Sequence, residues 1–459
     1  MQPHPRTLEK SGLQKLGLDS SARVLIVGLG KTGLSVARFL RGQGIELALA
    51  DSREQPPGLA ELRETLADVA VFLGGFDEAA FLAATHLIVS PGVSLEEPAV
   101  QRAIRAGVPV LGDLDLFAAM VNAPVIAITG ANGKSTVTTL VGLMAQADGR
   151  NVRVGGNLGT PMLDLLDPQA ELYVLELSSF QLERAGVLDC LAATVLNISP
   201  DHMDRYRDLQ HYAEAKRHIF DGAGVRVLNA DDPLVAQMAG IGAHCRWFSL
   251  GPERPAEYCP VMTEGEEWLS ARGRNLLRVG EIRLQGRHNL ANALAAVALA
   301  DAAGVPAEAM VETLRQFRGL DHRMQFVADI GGVVWVNDSK ATNVGACIAA
   351  LQGLSGKAVL IAGGDGKGAD FSCLASVAAE KVRGAVLMGR DAPALEQVLG
   401  PVVTTVRVQN MKQAVDVARR LAEPGDTVLL APACASLDQY KDYQERGRVF
   451  VEAVQGLAP

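Results

Sequence analysis

The residues with the clearest chemical potential lie in a glycine-containing loop that follows a short apolar run. Residues 130–136 read Gly-Ala-Asn-Gly-Lys-Ser-Thr, directly after Ile-Ala-Ile-Thr. Glycines let backbone N–H groups close around phosphate oxygens, and the N-terminus of a following helix adds partial positive charge. Lys134 is expected to meet the β and γ phosphates of a nucleotide, and Ser135 a magnesium ion. Ile128 stands where the general P-loop spacing has glycine, so this is a shorter loop.

Polar groups also follow two neighbouring apolar runs. Glu176 ends the run at residues 172–177, and His202 lies within the polar segment 197–204. Ligand groups in open α/β sheets gather at the carboxyl ends of strands, and oxygen ligands with an imidazole near phosphates suit Mg²⁺. The competing interpretation is a buried glutamate and a core histidine. The spacing around Lys216 indicates only a helix-face lysine that forms surface ion pairs.

A second glycine turn lies near the start of the chain. Gly28, Gly30 and Gly33 follow an apolar run with the spacing of a dinucleotide-binding turn, and Asp51 ends the next run. Alone this signal is weak, because the same turn holds any nucleoside diphosphate or serves as a structural turn. It leaves open a dinucleotide-binding redox protein.

Three apolar runs near the end of the chain finish in polar clusters, at residues 335–343, 361–371 and 431–440. Three such strand ends in one sheet favour a binding edge over unrelated polar loops. Lys340 and Lys367 are candidates to pair with substrate carboxylates.

Short β-branched runs alternate with longer Ala- and Leu-rich stretches, which predicts an α/β protein with parallel sheets. We expect Rossmann-like, doubly wound domains at residues 1–112 and 320–459. They flank a P-loop-like ATPase α/β domain at 113–319, with a small antiparallel side sheet between residues 246 and 284. Predicted strands include residues 24–27, 69–73, 87–89, 125–128, 172–177, 267–269, 280–284, 333–336, 358–361, 384–388 and 428–430.

Composition restricts the function further. The 459 residues are 48% hydrophobic and 21% charged, with 43 Lys and Arg against 52 Asp and Glu, a net charge of −9. This balance offers no polybasic surface for nucleic acid or anionic lipid. The first twenty residues hold no signal-like apolar run, and no stretch reaches the roughly 18 apolar residues of a membrane helix. We expect a cytoplasmic protein without membrane insertion.

These motifs, in this order from Gly28 to Tyr443, resemble the Mur ligase family, and within it the D-glutamate-adding members. The middle of the chain is similar to the family's ATPase domain. Asp-Ser-Lys-Ala-Thr-Asn at residues 338–343 carries the D-glutamate assignment. The matching segments are residues 130–136, 156–157, 176–182, 199–204, 288–292, 321–323 and 338–343. Two departures are Ala131, where the family often has threonine, and Tyr443, where phenylalanine is expected.

The resemblance implies which residues bind each substrate. UDP-substrate binding is implied for Gly30, Lys31, Thr32, Asp51, Ser52, Arg53, Gly92, Asn157 and His202. ATP binding is implied for Gly130, Asn132, Gly133, Lys134, Ser135, Thr136, Asn289, Asn292, Arg323 and Asp338. D-Glutamate binding is implied for Lys340, Thr342, Asp365, Lys367, Ser436, Leu437 and Tyr443.

The resemblance also implies the reaction, an ATP-dependent amide ligation of D-glutamate to UDP-N-acetylmuramoyl-L-alanine through an acyl phosphate. Lys134, Glu176, His202 and Lys216 are the implied catalytic residues. Two Mg²⁺ ions are implied, held by Ser135, Glu176, His202 and a carbamate formed on Lys216. We expect a monomer. A folylpolyglutamate-type ligase and a non-catalytic ATP-binding scaffold remain alternatives.

Overall fold

A computed structural model describes residues 11–251, 256–284, 286–354 and 356–457. Three sheets of five, nine and six strands follow one another along the chain. Within these residues, no helix has both the length and the apolar character needed to cross a membrane. Residues 1–10, part of the segment searched for a signal peptide, lie outside the described residues.

The first sheet is entirely parallel, with strand order β3-β2-β1-β4-β5. The order reverses between β1 and β4, which places the turn after β1 at the position where doubly wound sheets bind ligands. Its elements are α1 (Ser11–Lys15), β1 (Arg23–Val27), α2 (Lys31–Gly42), β2 (Glu46–Asp51), α3 (Leu59–Thr65), β3 (Ala70–Leu73), α4 (Glu78–Ala83), β4 (His86–Val89), α5 (Pro98–Arg105), β5 (Val110–Leu111) and α6 (Asp113–Met120).

The second sheet begins with β6, whose five residues are all buried. Its elements are β6 (Val125–Thr129), α7 (Lys134–Ala147), β7 (Val152–Gly156), β8 (Leu172–Glu176), α8 (Ser179–Leu182), β9 (Cys190–Val195), α9 (Leu209–Arg217), β10 (Ala223–Asn229), α10 (Pro233–Ala236), β11 (Cys245–Phe248), β12 (Tyr258–Thr263), β13 (Glu266–Ala271), β14 (Arg274–Arg278), α11 (Arg287–Ala302) and α12 (Ala307–Gln316). Short 3₁₀ helices cover Met162–Leu165, His218–Phe220 and Val279–Glu281.

The strand order of this sheet is β14-β13-β12-β11-β10-β9-β6-β8-β7. Among the residues that the structure describes, only β12, β13 and β14 pair antiparallel, and β11 joins them to the parallel strands. The predicted side sheet is therefore an extension of the central one. The buried helix α11 packs against α7 and against β9, β10, β11, β12 and β13, forming one apolar core.

The third sheet has the order β15-β16-β20-β17-β18-β19, and in the described part of the chain only its β15–β16 pair is antiparallel. Its elements are β15 (Gln325–Ile330), β16 (Val333–Asn337), α13 (Val344–Gln352), β17 (Ala358–Gly363), α14 (Leu374–Lys381), β18 (Val382–Met388), α15 (Ala392–Leu399), β19 (Thr404–Arg407), α16 (Met411–Leu421), β20 (Thr427–Leu430) and α17 (Tyr443–Gln455).

The predicted α/β class and nearly all predicted strands are confirmed. The strand predicted at residues 280–284 is wrong, because that segment contains a 3₁₀ turn and no ladder. The last strand of this sheet, β14, ends at Arg278, so the predicted segment begins only after the strand is complete. The predicted domain boundaries after residues 112 and 319 fall between the three sheets and stay predictions.

Candidate active site

The carboxyl ends of the second and third sheets face a pair of adjoining cavities. Cavity A, of about 280 Å³, is bounded by Asn292 and Asp338 among others, and cavity B, of about 370 Å³, by Glu176 and Lys216. Both cavities are lined by Asn132, Gly133, Arg323 and Lys340. The glycine loop after β6 therefore lies where the two cavities meet.

The loop has the backbone that its glycines predict. Gly130 and Gly133 have φ of 149° and 84°, and Gly133 is the residue that precedes α7. The ammonium of Lys134 folds back over the loop and donates to the carbonyls of Gly130 and Ala131, at 2.8 and 2.9 Å. Burial lowers the pKa of Lys134, against the opposing effect of the Glu176 carboxylate. A phosphate would give this ammonium an anionic partner in place of the two carbonyls.

Gly133→Ala is expected to weaken ATP binding by roughly tenfold or more, which corresponds to about 1.4 kcal/mol. A Cβ at Gly133 would lie 2.3 Å from Oδ1 of Asn292, in a backbone conformation that already disfavours alanine. Gly149→Ala is the matched control, since its φ of 82° is similar but its Cβ would have no neighbour within 4 Å. Calorimetric titration with ATP separates the two variants; equal affinities would contradict the role of the Asn292 contact.

Glu176, at the end of β8, is held by two polar side chains. Its Oε2 accepts from the hydroxyl of Ser135 at 2.6 Å, and its Oε1 accepts from the amide of Asn157 at 2.6 Å. Arg323 of the third sheet's domain donates to the same Ser135 hydroxyl at 2.7 Å. Burial raises the pKa of Glu176, but the Lys134 charge and the two hydrogen bonds outweigh it and lower the pKa overall. Glu176 is therefore ionised at neutral pH.

This arrangement fits one Mg²⁺ ion. Across the described residues, no three His, Cys, Asp or Glu side chains form a preassembled metal cage. Mg²⁺ needs no such cage, because it commonly takes one or two protein oxygens, substrate phosphates and water. The Ser135 hydroxyl, at the start of α7, and the Glu176 carboxylate, at the end of β8, would provide such oxygens.

His202 and Asp201 lie on the loop after β9 and line cavity B. His202 has a φ of 59°, an uncommon value for a residue other than glycine. Burial lowers its pKa to about 4, so the imidazole is neutral at pH 7. The edge of Phe180 lies against this ring, with a centroid separation of 4.8 Å.

Asp201 connects the second and third domains. Its carboxylate accepts from Lys367 and, at 3.2 Å, from the amide of Asn343. Burial raises its pKa, but His202 and Lys367 more than compensate and bring the pKa to about 2. The sequence placed Asp201 inside a polar segment without assigning it a role, and Asn343 likewise. The sequence motifs around these two residues are local, whereas the hydrogen bond between them joins residues that are far apart in the chain.

The spacing around Lys216 predicted a lysine at the protein surface, and this prediction is wrong. It is 1% exposed, and its ammonium lies 4.6 Å from the ring centroid of Tyr212 and 3.3 Å from the Thr129 hydroxyl. Burial, assisted by the charge of Lys134, lowers its pKa well below the ordinary lysine value. Lys216 lines cavity B together with Glu176 and His202.

Most residues implied for ATP line cavity A, namely Asn132, Gly133, Thr136, Asn289, Asn292, Arg323 and Asp338. Lys134 lines cavity B instead, and Gly130 and Ser135 are not among the residues that line either cavity. Asn292 donates to Asn289 at 3.2 Å. Burial raises the pKa of Asp338 to about 6, although Arg323 opposes the shift.

Most residues implied for D-glutamate lie together on cavity B, namely Lys340, Thr342, Lys367, Ser436, Leu437 and Tyr443. The Lys340 ammonium stands 4.1 Å from the ring centroid of Tyr443, and burial lowers its pKa to about 8. Asp365 is not among the residues that line the cavity; its carboxylate accepts from Arg390 at 2.9 Å.

The residues implied for the UDP part divide into two groups. Asn157 and His202 line cavity B. Asp51 is the last residue of β2, and the others follow strands of the first sheet, namely Gly30, Lys31, Thr32, Ser52, Arg53 and Gly92. Asp51 accepts from the backbone N–H of Leu29 at 2.7 Å and pairs with Arg53 at 2.7 Å. The hydrogen bond from Leu29 holds the end of β2 beside the glycine turn that follows β1.

Three domain families match consecutive parts of the chain. The Mur ligase MurD-like N-terminal domain matches residues 22–112, the Mur ligase middle domain 128–300, and the Mur ligase glutamate ligase domain 322–434.

Relatives match the chain over nearly its full length. It is 64% identical to the UDP-N-acetylmuramoylalanine–D-glutamate ligase of Methylococcus capsulatus, over 99% of this chain and 100% of that protein. It is 53% identical to the protein of the same name from Marinobacter nauticus, over 95% of this chain and 99% of that protein.

Solved structures share the fold at lower identity. The UDP-N-acetylmuramate-alanine ligase MurC of Thermotoga maritima aligns with a TM-score of 0.61 at 20% identity, over 95% of this chain and 100% of that chain. MurF of Acinetobacter baumannii aligns with a TM-score of 0.59 at 17% identity, over 94% of this chain and 93% of that chain. The chain belongs to the Mur ligase family.

Proposed function

We propose that this protein is an ATP-dependent ligase that joins D-glutamate to UDP-N-acetylmuramoyl-L-alanine in peptidoglycan precursor synthesis. The observation that carries the proposal is the junction of cavities A and B at the glycine loop. It places the predicted phosphate-binding lysine, Lys134, on the same cavity as Lys367 and Ser436 of the third domain. The names of the full-length relatives support the choice of substrates.

Each domain would bind one substrate. The first would hold the UDP part at the glycine turn after β1, and the second would hold ATP between the loop at residues 130–136 and cavity A. The third would bind D-glutamate in cavity B, where Lys367 and Lys340 supply cations for its two carboxylates. Since the reaction consumes ATP, we place the protein in the cytoplasm.

The reaction begins at the terminal carboxylate of UDP-N-acetylmuramoyl-L-alanine, which is a poor electrophile. One carboxylate oxygen attacks the γ phosphorus of ATP, the bond to the bridging oxygen breaks, and ADP leaves. The deprotonated amine of D-glutamate then attacks the acyl phosphate, forming the amide and releasing phosphate. Lys134 and Arg323 lie beside the junction and would offset the charge on the transferred phosphoryl group, so catalysis rests on positioning and electrostatics.

Mg²⁺ would supply further charge neutralisation at the phosphates, with Ser135 and Glu176 as protein ligands. For a second ion, the candidate ligands are His202 and a carbamate of Lys216. CO₂ combines only with a neutral amine, and burial lowers the pKa of Lys216 well below the ordinary lysine value, which favours that form. The carbamate would be an anion facing the charge of Lys134, which supports its formation in this cavity.

Phosphate release tests the proposed function. With ATP, Mg²⁺ and UDP-N-acetylmuramoyl-L-alanine, D-glutamate is expected to support turnover at least about 100-fold better than L-glutamate, L-alanine or diaminopimelate, because the site must place both carboxylates and the amine. Omitting the nucleotide substrate is the control. Turnover with a folate substrate would favour the folylpolyglutamate alternative, and binding of NAD(H) would favour the redox alternative. If phosphate release does not depend on D-glutamate, the proposed function is wrong.

A further inference from the structure

Two arginines of the middle domain bind the backbone of one first-domain loop, residues 89–93. The side chain of Arg184 is 1% exposed and that of Arg205 is 19% exposed. The acceptors are the carbonyls of Val89, Ser90 and Val93 for Arg184, at 3.0, 2.8 and 3.2 Å, and those of Pro91 and Val93 for Arg205, at 3.1 and 3.3 Å. This loop follows β4 and contains Gly92, so it lies beside the switch point of the first sheet.

The same loop holds the glycine turn of the first domain. The hydroxyl of Ser90 donates to the carbonyl of Gly28 at 2.9 Å, and the Ser90 backbone N–H donates to Val27 at 2.9 Å. A displacement of residues 89–93 would therefore reach the turn expected to bind the diphosphate.

On its other side, the arginine pair reaches cavity B. The Arg205 guanidinium lies 4.2 Å from the ring centroid of Phe180, and that ring packs edge-on against His202. Glu183 accepts from Arg184 at 3.1 Å and from Arg205 at 3.2 Å, so one carboxylate offsets both charges. Its second oxygen accepts from the Tyr206 hydroxyl at 2.9 Å, which orients the carboxylate.

We propose that Arg205, oriented by Glu183, is a positioning residue that couples the first-domain loop at residues 89–93 to Phe180 and His202 on cavity B. Its contacts set the spacing between the site of the UDP part and the site where the substrate carboxylate is activated. A substrate that spans two domains reacts only when both ends are aligned, and a misplacement of about 1 Å can cost about 100-fold in rate. The inference rests on the proposed function, because it assumes a substrate that spans both sites.

Arg205→Met tests the coupling, since methionine occupies similar space without donors or charge. We expect kcat with UDP-N-acetylmuramoyl-L-alanine to fall roughly 30-fold, within the range that misalignment produces. Binding of ATP should stay within about twofold, and the affinity for UDP alone should fall by much less than kcat, since neither ligand spans both sites. Arg205→Lys should recover part of the rate, because lysine keeps a cation over Phe180. Hydrogen exchange of the amides at residues 89–95 should accelerate in the methionine variant.

Arg226→Met is the matched control. Arg226 also donates to backbone carbonyls, those of Met238 and Ala239 at 3.2 and 3.1 Å, and lies 5.6 Å from the ring centroid of Phe220. All these partners belong to the middle domain, and none lines cavity A or B. This variant is expected to lower thermal stability while kcat and exchange at residues 89–95 stay unchanged.

The inference is overturned if Arg205→Met turns over within threefold of the unmodified enzyme, or if UDP and ATP binding fall by the same factor as kcat. The second result would indicate general loss of structure. A failure of the proposed function is distinguishable, because it would show as absent turnover in the unmodified protein. In that case the exchange experiment still decides whether Arg205 fixes the loop, and unchanged exchange overturns the coupling.

Discussion

Lys134→Ala is expected to lower the rate of ADP release by roughly 10³-fold, at the upper end of what one positioned charge contributes to a transition state. The phosphate loop lies close to the carboxylates of Glu176 and Asp201, both of which interact with the Lys134 charge. A triphosphate brought to this position adds further negative charge. Without the lysine, the transferred phosphoryl group would face these carboxylates with less compensation. The quantity to measure is the rate of ADP release that requires both UDP-N-acetylmuramoyl-L-alanine and D-glutamate.

The matched control for this prediction is Lys357→Ala. The Lys357 ammonium donates to the backbone carbonyl of Glu380 at 2.8 Å, and the residue is exposed at the surface of the third domain. Its replacement also removes one positive charge, but at the exposed surface of the third domain and not at the loop of residues 130–136. This variant should leave turnover unchanged. A Lys134→Ala protein that folds normally and releases ADP within tenfold of the unmodified rate would contradict the assigned role.

The fold could be predicted where a strand is buried on both faces. β6 and β17 are continuous apolar runs that end in glycine-containing loops, and such runs are typical of central parallel strands. The short strand β5 and the edge strands β15 and β19 gave no comparable signal. In β15, every residue is partly or fully exposed, because the strand has a neighbour on one side only.

The site could be predicted where its chemistry is contiguous in the sequence. The loop at residues 130–136 carries its glycines, lysine and hydroxyls within one turn, so local spacing was sufficient to predict that these groups lie together, while their binding of phosphate stays a prediction. The pairing of Asp201 with Lys367 joins residues 166 positions apart and depends on how two domains pack. Lys216 illustrates the same limit. Glu214 and Arg217, next to it, form an exposed ion pair, and nothing in the helical spacing distinguishes the buried lysine from them.

Lys216→Ala is expected to lower turnover by roughly 100-fold, the upper range for losing a group that supports a metal ion. Acetate or formate should restore part of the activity, since alanine leaves space in cavity B where a small carboxylate can replace the proposed carbamate anion. Burial lowers the pKa of Lys216, which favours the neutral amine that reacts with CO₂. Phosphate release is measured with added sodium formate and with sodium chloride at equal ionic strength.

Lys216→Met separates chemical rescue from a general salt effect. Methionine fills most of the volume of the lysine side chain, so a small carboxylate has no space to enter and formate should not restore its activity. Both variants remove a buried amine, and thermal unfolding shows whether either has lost its structure. A folded Lys216→Ala protein with full activity would refute the carbamate. Equal recovery of the alanine and methionine variants in formate would refute it as well, because the anion would then act elsewhere.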